Sequence, residues 1–235
     1  MTGTRAAPRG AFIVLEGPEG AGKSTQAARL ATRLEASGRE VVVTREPGGT
    51  PVGEGIRALL LDRARGADHA TWTDALLFNA ARAALVSQVI GPNLAAGRIV
   101  ICDRFADSTV AYQGYGSGLP IEDLRRVERL ATGGLQADLT LLLDLPADAG
   151  LGRKRGEETR FETAFDLAFH ARVRAGFLEL AAADPGRYAV IDAQANADEV
   201  AARCLAAVAR LPELTGIPIL AEGDEPDVAL LRTTG

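Results

Sequence analysis

The chain has 235 residues, a mass of 24.6 kDa, a formal net charge of −5 and a hydrophobic fraction of 47%. This length suits one α/β domain or two small ones, and the negative charge argues against a general nucleic-acid binder, whose surface is usually basic. No run approaches the ~18 continuous apolar residues of a membrane-spanning helix, and the N-terminus lacks the apolar core of a secretory signal. The two cysteines, Cys102 and Cys204, form no disulfide framework. The composition predicts a soluble cytoplasmic protein with neither a membrane nor a nucleic acid as partner.

Strand-like runs alternate with helical segments along the chain, which is typical of parallel βαβ units. We predict strands at Phe12–Glu16, Val41–Arg45, Ile99–Asp103, Thr140–Asp144 and Tyr188–Ile191. Helices are predicted at about Lys23–Ser37, Glu54–Leu61, Thr73–Ala96, Asp107–Gln113, Ile121–Thr132, Ala147–Arg153, Ala164–Ala183 and Asp198–Arg210. The pattern predicts one three-layer α/β domain over residues 11–211, in which helices flank a five-stranded parallel sheet. Residues 1–10 and 212–235 are expected to be flexible ends.

The stretch EGPEGAGKST at Glu16–Thr25 has the Walker A spacing, Gly-x4-Gly-Lys-Ser. Its glycines allow backbone angles and close approaches to a phosphate that a Cβ would block. Lys23 can reach the β- and γ-phosphate oxygens, and the Ser24 hydroxyl can bind Mg²⁺. The loop follows a predicted strand and opens a predicted helix, whose N-terminus favours an anion. We therefore predict an ATP-binding loop formed by Gly17, Pro18, Glu19, Gly20, Ala21, Gly22, Lys23, Ser24 and Thr25.

A phosphate-binding loop is shared by motors, switches and kinases, so a second site must decide between them. The guanine-specifying pattern NKxD and the switch pattern DxxG occur nowhere in the chain, which disfavours a GTPase. Arg45, Arg57, Arg82 and Arg104 lie in turns or beside apolar runs, and the planar guanidinium suits bidentate phosphate contacts. Arg104 directly follows a strand, at the edge where ligands of open parallel sheets bind. These arginines favour a kinase whose acceptor carries its own phosphate, although each could also be an ordinary surface residue.

Two apolar strands end in an aspartate that could hold Mg²⁺, directly or through water, as a Walker B carboxylate does. Asp103 ends the run IVICD, and Asp144 ends the run LTLLLD. The adjacent Arg104 favours Asp103, whereas Asp144 could instead cap the helix that follows it. Sequence pattern alone does not separate the two.

With these motifs in this order, the chain resembles bacterial thymidylate kinases (dTMP kinases) of the P-loop nucleoside monophosphate kinase group. The likeness runs from about residue 11 to residue 210, through FIVLEGPEGAGKST, TREPGGTPVGEGIRALLL, ALLFNAAR, VICDRFADSTVAYQGYGSGL, ADLTLLLDLPADAGLGR and TRFE. It implies a P-loop NTPase fold with a short lid at about residues 152–162, and a homodimer built from helix packing. It also implies Mg²⁺-dependent phosphoryl transfer from ATP to dTMP.

The resemblance implies roles for residues of the acceptor site. Glu19 matches a carboxylate that accepts a hydrogen bond from the deoxyribose 3′-OH, and Phe78 matches the aromatic residue on which thymine stacks. By the same resemblance, Arg82 matches the arginine that bonds a thymine carbonyl, and Thr109 and Gln113 match residues that line the base edge. Arg45, Arg57 and Arg104 match arginines at the acceptor phosphate or their neighbours. Asp103 matches the carboxylate that lies between the two phosphates. Without the resemblance, Phe78 could equally be a core residue of its helix.

Some relatives carry an arginine within the phosphate loop, where this chain has Gly20. In the bacterial subgroup that lacks this arginine, a basic residue of the lid stabilises the transferred charge. The stretch GRKRGEETRFE at residues 152–162 is rich in basic residues. The TRFE segment favours Arg160 as the catalytic lid residue, with Arg155 as the alternative and as an ATP contact. A charge-rich loop of this kind could also be merely solvated.

Overall fold

The computed structural model describes residues 10–61, 70–153 and 165–214. Five parallel strands form one sheet in the order β2-β3-β1-β4-β5. The strands are β1 (Phe12–Glu16), β2 (Val41–Arg45), β3 (Ile99–Asp103), β4 (Leu139–Asp144) and β5 (Tyr188–Asp192). This sheet confirms the predicted five-stranded parallel architecture, and each predicted strand end lies within one residue of the observed end.

Helices connect the strands and cover the sheet. They are α1 (Lys23–Ala36), α2 (Pro51–Leu61), α3 (Thr71–Leu85), α4 (Gly91–Ala95), α5 (Ala106–Thr109), α6 (Ile121–Thr132), α7 (Ala147–Arg153), α8 (Leu167–Ala183) and α9 (Ala197–Val208). A π-helical turn at Val86–Ile90 joins α3 to α4, and another at Val110–Gly116 follows α5. The predicted helix at residues 73–96 is therefore three consecutive segments.

Helix α2 begins earlier than the sequence analysis predicts. Its first residue is Pro51, and the Thr50 hydroxyl accepts a hydrogen bond of 3.0 Å from the backbone N–H of Gly53. Proline is favoured at the first helical position and threonine at the N-cap, so the dipeptide Thr50–Pro51 is itself a helix start signal.

Helices pack on both faces of the sheet, because successive side chains of a strand point in opposite directions. On β1, Ile13 and Leu15 belong to a buried cluster that includes residues of α1 and α9. Phe12 and Val14 belong to a second buried cluster on the opposite face, which includes Leu94 of α4. This arrangement confirms the predicted three-layer α/β domain.

The parallel topology brings the carboxyl ends of the neighbouring strands β2, β3 and β1 together. In the sheet register, Asp103 at the end of β3 lies beside Leu15 of β1 and beside Arg45 of β2. The segments that follow these strands therefore start side by side, at the edge where ligands of open α/β sheets bind. The phosphate loop leaves β1 at this edge, and Arg104 leaves β3 there.

The most apolar 18-residue window of the continuous helical segment Thr71–Ala95 has a mean hydropathy of 1.2, and by length and composition the segment meets the requirement for a membrane-spanning helix. The sequence analysis found no such stretch because polar residues interrupt its apolar runs. The segment packs against α2 and α6 and buries the polar residues Asp74, Asn79 and Arg82. These contacts are those of a helix that belongs to the core of a globular domain.

Candidate active site

A cavity of about 350 Å³ opens at the carboxyl edge of the sheet. Most of the residues predicted from the sequence line it: Glu19, Gly20, Gly22, Lys23, Ser24, Thr25, Arg45, Arg57, Phe78, Asp103, Arg104, Thr109 and Gln113. Four predicted residues, Gly17, Pro18, Ala21 and Arg82, lie outside this lining. Arg155 and Arg160, with the other residues from 154 to 164, fall outside the described part of the chain, so the assignment of the lid remains a prediction.

The phosphate loop is closed around the side chain of Lys23. The Lys23 ammonium donates hydrogen bonds to the carbonyl oxygens of Gly17, at 3.0 Å, and Pro18, at 2.7 Å. Burial, together with the nearby positive charge of Arg104, lowers the pKa of Lys23 to about 8. A triphosphate bound in this loop would place negative charge beside the ammonium and raise that pKa again.

Gly20 lies directly against helix α7. A Cβ on Gly20 would come within 2.1 Å of the carbonyl oxygen of Gly150, and a Cβ on Gly150 would come within 2.2 Å of the carbonyl oxygen of Glu19. Gly20 also has a φ of 71°, in the left-handed region that disfavours side chains. Backbone therefore fills the space that an arginine at position 20 would need.

The two predicted Mg²⁺ ligands lie together. The Ser24 hydroxyl donates a hydrogen bond of 2.5 Å to Oδ2 of Asp103. The competing carboxylate, Asp144, instead accepts two hydrogen bonds from the Arg174 guanidinium, at 2.7 and 2.8 Å. Of the two strand-end aspartates, Asp103 is the one that faces the cavity and the phosphate loop.

Arg104 joins the turn after β3 to the phosphate loop. Its guanidinium donates hydrogen bonds to Oε1 of Glu19, at 2.6 Å, to the carbonyl oxygen of Gly17 and to the Tyr112 hydroxyl. Its backbone φ is 69°, a left-handed conformation that costs a non-glycine residue about 1–2 kcal/mol. Because the surrounding contacts hold this conformation, the cation reaches the cavity in a fixed orientation.

Two further arginines line the cavity: Arg45, the last residue of β2, and Arg57 of α2. Arg45 binds the carboxylate of Glu54 at 3.0 and 3.1 Å, in a pair that is largely exposed to solvent. Arg57 donates a hydrogen bond of 2.9 Å to the carbonyl oxygen of Pro47. Burial, with the positive charge of Arg45, lowers the pKa of Arg57 from its ordinary value. A phosphate group in the cavity would offset this excess of positive charge.

The predicted base-binding residues lie on two neighbouring helical segments. Phe78 of α3 lines the cavity, and so do Thr109 of α5 and Gln113 of the following π-helical turn. Oε1 of Gln113 is buried and accepts no hydrogen bond within the described residues. A buried polar atom without a partner is costly, so this oxygen is suited to accept from a ligand.

Arg82 lies behind the cavity, where it is 1% exposed. It forms an ion pair of 2.7 Å with Glu46, and it donates to Oδ1 of Asn79, the carbonyl oxygen of Phe105 and the Thr109 hydroxyl. Burial raises the pKa of Glu46 to about 7 despite the adjacent Arg82. The predicted bond from Arg82 to a thymine carbonyl stays a prediction, because in this structure the Arg82 guanidinium is surrounded by protein acceptors.

The sequence analysis missed several residues of the site. Ser108, Tyr112 and Arg153 line the cavity, and the Arg153 guanidinium donates a hydrogen bond of 3.1 Å to the carbonyl oxygen of Ala193. Glu16, the last residue of β1, is fully buried just behind the cavity, and burial raises its pKa to about 7. The one sequence feature that could have drawn attention to Glu16 is that it is a carboxylate at the end of an otherwise apolar strand.

Comparisons with known proteins agree on one family. A sequence model of the family described as thymidylate kinase matches residues 15–204. A thymidylate kinase of Deinococcus radiodurans is 52% identical over 202 residues, covering 85% of this chain and 97% of the relative. One from Cereibacter sphaeroides is 52% identical over 221 residues, covering 90% and 99% respectively. The crystal structure of thymidylate kinase from Ehrlichia chaffeensis superposes with a TM-score of 0.70 at 34% identity, covering 86% of this chain and 99% of that one.

Replacing Arg82 by Ala is expected to lower the free energy of unfolding by about 3–5 kcal/mol at pH 8, because the buried Glu46 must then either stay charged without its partner or take up a proton. Loss of the cation raises the folded-state pKa of Glu46 still further above its unfolded value. The destabilisation should therefore be smaller at pH 6, where the folded protein holds a proton on Glu46. Urea unfolding at both pH values measures the effect.

Arg126→Ala provides the matched control, since Arg126 pairs with Asp123 on the exposed face of α6. It should change the free energy of unfolding by less than about 1 kcal/mol. Equal losses for the two variants would contradict a structural role for the buried pair.

Proposed function

The chain belongs to the thymidylate kinase family, and we propose that its cavity transfers the γ-phosphoryl group of ATP to the 5′-phosphate of dTMP, giving dTDP and ADP. The observation that carries this proposal is that a phosphate loop and an acceptor site share one cavity. Lys23 and Ser24 lie on the donor side. Arg57, Phe78 and Gln113 supply a cation, an aromatic ring and an amide for a second nucleotide.

The mechanism needs no general base, because an acceptor phosphate oxygen is already ionised at neutral pH. Catalysis then consists of aligning two anionic groups and neutralising the charge between them. Lys23 would contact the transferred group from the phosphate loop, and Arg104 from the turn after β3. Their orientation is set by protein contacts formed before the substrates bind.

Mg²⁺ fits the pair formed by Ser24 and Asp103. The hydroxyl and the carboxylate lie within hydrogen-bond distance of each other, and Mg²⁺ prefers oxygen ligands and is commonly held by one or two protein groups together with substrate phosphates. When bound there, the ion would supply positive charge to the phosphate oxygens of ATP. We propose that Ser24 and Asp103 hold it, directly or through water.

A lid residue would supply the remaining positive charge at the transferred group. Arg160 is our candidate for the residue that stabilises the transferred charge, and Arg155 is the alternative and an ATP contact. The backbone contact between Gly20 and Gly150 supports this, since it leaves no room for an arginine side chain at position 20 of the phosphate loop. Closing such a lid would exclude water and limit ATP hydrolysis.

A coupled assay of ADP production, with ATP–Mg²⁺ and each of dTMP, dUMP, dCMP, dGMP and AMP, tests the reaction and the acceptor together. Turnover is expected with dTMP in clear preference to the others. Lys23→Ala should lower kcat by at least about 10²-fold with the fold intact, because it removes a charge that contacts the transferred group.

Two other outcomes would each replace part of this proposal. Preference for a different monophosphate would retain phosphoryl transfer but overturn the assignment of Phe78, Arg82 and Gln113 to thymine. ATP binding without turnover of any acceptor would indicate a regulator that has lost catalysis.

Phe78→Ala is expected to raise the KM for dTMP by about 5- to 150-fold while the KM for ATP stays within about twofold, because base stacking on an aromatic ring contributes about 1–3 kcal/mol. Phe78→Leu is the matched variant, since it keeps an apolar side chain of similar size but removes the aromatic face. Steady-state kinetics with each substrate varied in turn measures both constants. Normal dTMP kinetics in Phe78→Leu would show that Phe78 is only a packing residue.

We also propose that the protein is a homodimer that buries an apolar patch on α2 and α3. Leu76 of α3 is 53% exposed, and Val52 and Leu59 of α2 are 57% and 40% exposed, although these two helices pack side by side. The helical segment that starts with α3 is as apolar as a membrane span, yet its most apolar window is only 33% buried. The family resemblance implies a homodimer built from helix packing, and we propose that the second copy of the chain covers this surface.

Leu76→Lys is expected to convert the dimer into a monomer at micromolar concentration, because an ammonium group in an apolar interface must be desolvated. Light scattering after gel filtration measures the mass. Val190→Lys is the control: Val190 is equally exposed, at 53%, but lies on the edge strand β5 at the other end of the sheet. A wild-type monomer, or loss of the dimer in both variants, would contradict the proposed interface.

The cysteines support a cytoplasmic location. Cys102 and Cys204 are both buried and free. Burial raises the pKa of the Cys204 thiol to about 12, and it raises that of Cys102 well above its ordinary value. Such thiols act as core residues, and a protein without disulfides suits a reducing compartment.

A further inference from the structure

The carboxylate of Glu16 is buried in the wall of the active site but lines no part of the cavity. Glu16 is the last residue of β1 and directly precedes the phosphate loop; it is 0% exposed. Its Oε1 accepts hydrogen bonds from the backbone N–H groups of Phe105, at 2.9 Å, and Ser108, at 3.1 Å. Its Oε2 accepts from the Ser108 hydroxyl, at 2.6 Å. The mechanism described above assigns no role to this residue.

These bonds attach the end of β1 to the turn that carries Arg104. The backbone N–H of Arg104 donates to the carbonyl oxygen of Leu15, at 2.9 Å, and the next N–H, of Phe105, donates to Glu16. Two consecutive residues of β1 thus hold two consecutive N–H groups of the turn. Arg104 has its left-handed φ of 69° at this point. A conformation disfavoured for arginine is retained because contacts on both sides of it are fixed.

Ser108 extends the same contact to the guanidinium. Its hydroxyl hydrogen is committed to Oε2 of Glu16, so its oxygen is left as an acceptor, and it accepts a hydrogen bond of 3.1 Å from Nη1 of Arg104. The other nitrogen of the same guanidinium reaches Glu19 in the phosphate loop. A continuous chain of hydrogen bonds therefore runs from Glu16 through Ser108 and Arg104 to Glu19.

This chain needs a carboxylate at position 16, because a carboxylate accepts at both oxygens. An amide has one oxygen and one NH₂ group. If the amide oxygen faced the two N–H groups, the NH₂ group would point at the Ser108 oxygen, and the hydroxyl hydrogen would lose its acceptor. In the opposite orientation, the NH₂ group would face the two N–H donors. Either orientation disturbs the contacts on which Arg104 depends.

We propose that Glu16 is a positioning residue that fixes the left-handed turn at Arg104 and, through Ser108, the orientation of the Arg104 guanidinium for phosphoryl transfer. The proposal rests on the role assigned to Arg104 under the proposed function. Glu16 touches no reacting atom, so it acts through Arg104.

Glu16→Gln removes the charge while keeping the size of the side chain, and is expected to lower kcat by about 10²-fold, since misplacing a catalytic group by about 1 Å has an effect of that order. The KM values for ATP and dTMP should change by less than about threefold. Ser108→Ala should lower kcat in the same direction by a smaller factor. Glu40→Gln is the matched control, because it removes the same charge from an exposed carboxylate, at Glu40, and should leave kcat unchanged.

A double-mutant cycle separates positioning from a general structural effect. If Glu16 acts through Arg104, Glu16→Gln should lower kcat by less than about twofold when Arg104 is already Ala. Losses that multiply in the double variant would overturn the proposal, and so would a wild-type kcat in Glu16→Gln. If Glu16→Gln does not fold, as judged by circular dichroism, the same cycle is run with Ser108→Ala, where multiplying losses again overturn it.

Crystal structures of the ligand-free wild type and Glu16→Gln give a readout that does not depend on activity. The Arg104 guanidinium should leave Glu19 in the variant, and an unchanged turn with an unchanged Arg104–Glu19 contact would refute the proposal. A wild type that phosphorylates another monophosphate would overturn the proposed acceptor, and the cycle would then use that acceptor. If the wild type phosphorylates no acceptor, the proposed function is wrong. The positioning role of Glu16 is then tested by the two crystal structures alone.

Discussion

The ion pair between Arg104 and Glu19 joins the turn after β3 to the phosphate loop after β1. One partner leaves β3 and the other lies in the phosphate loop that leaves β1, and these strands are neighbours in the sheet. Both side chains are largely shielded from water, so the attraction between them is screened less than that of a surface pair. The contact also needs Arg104 in a left-handed conformation, which ties the shape of the catalytic turn to the position of the phosphate loop.

The wall of the cavity is built from charged groups that burial moves toward neutrality. The pKa of Lys23 is lowered to about 8, and the pKa values of Glu16 and Glu46 are raised to about 7. Each shift measures the removal of water from a charge that the fold does not fully compensate. Binding of anionic phosphates would restore the compensation for Lys23 and Arg57.

Sequence patterns predicted the parts of this structure that depend on local chemistry. Apolar runs located all five strands, the Walker A spacing located the phosphate loop, and the position of Asp103 at the end of a strand brought it to Ser24. Contacts between residues that are distant in sequence could not be predicted in this way. The pairing of Asp144 with Arg174 and of Arg82 with Glu46 depends on how helices cross the sheet, and no local pattern encodes it. The same limit hid Glu16, whose partners lie 89 and 92 residues away.

The contact between Gly20 and Gly150 links the phosphate loop to the helix that leads toward the predicted lid. A Cβ on Gly20 would meet the carbonyl group of Gly150, and a Cβ on Gly150 would meet the carbonyl group of Glu19, so the two backbones can approach only while both positions stay glycine. Arg153, at the end of the same helix, lines the cavity and bonds the carbonyl oxygen of Ala193 beyond β5. Helix α7 is therefore held at its middle by the backbone contact of Gly150 and at its C-terminal end by the side chain of Arg153. A phosphate loop packed in this way has no space for an arginine side chain at position 20, so α7 and the loop can keep this contact only with glycine there.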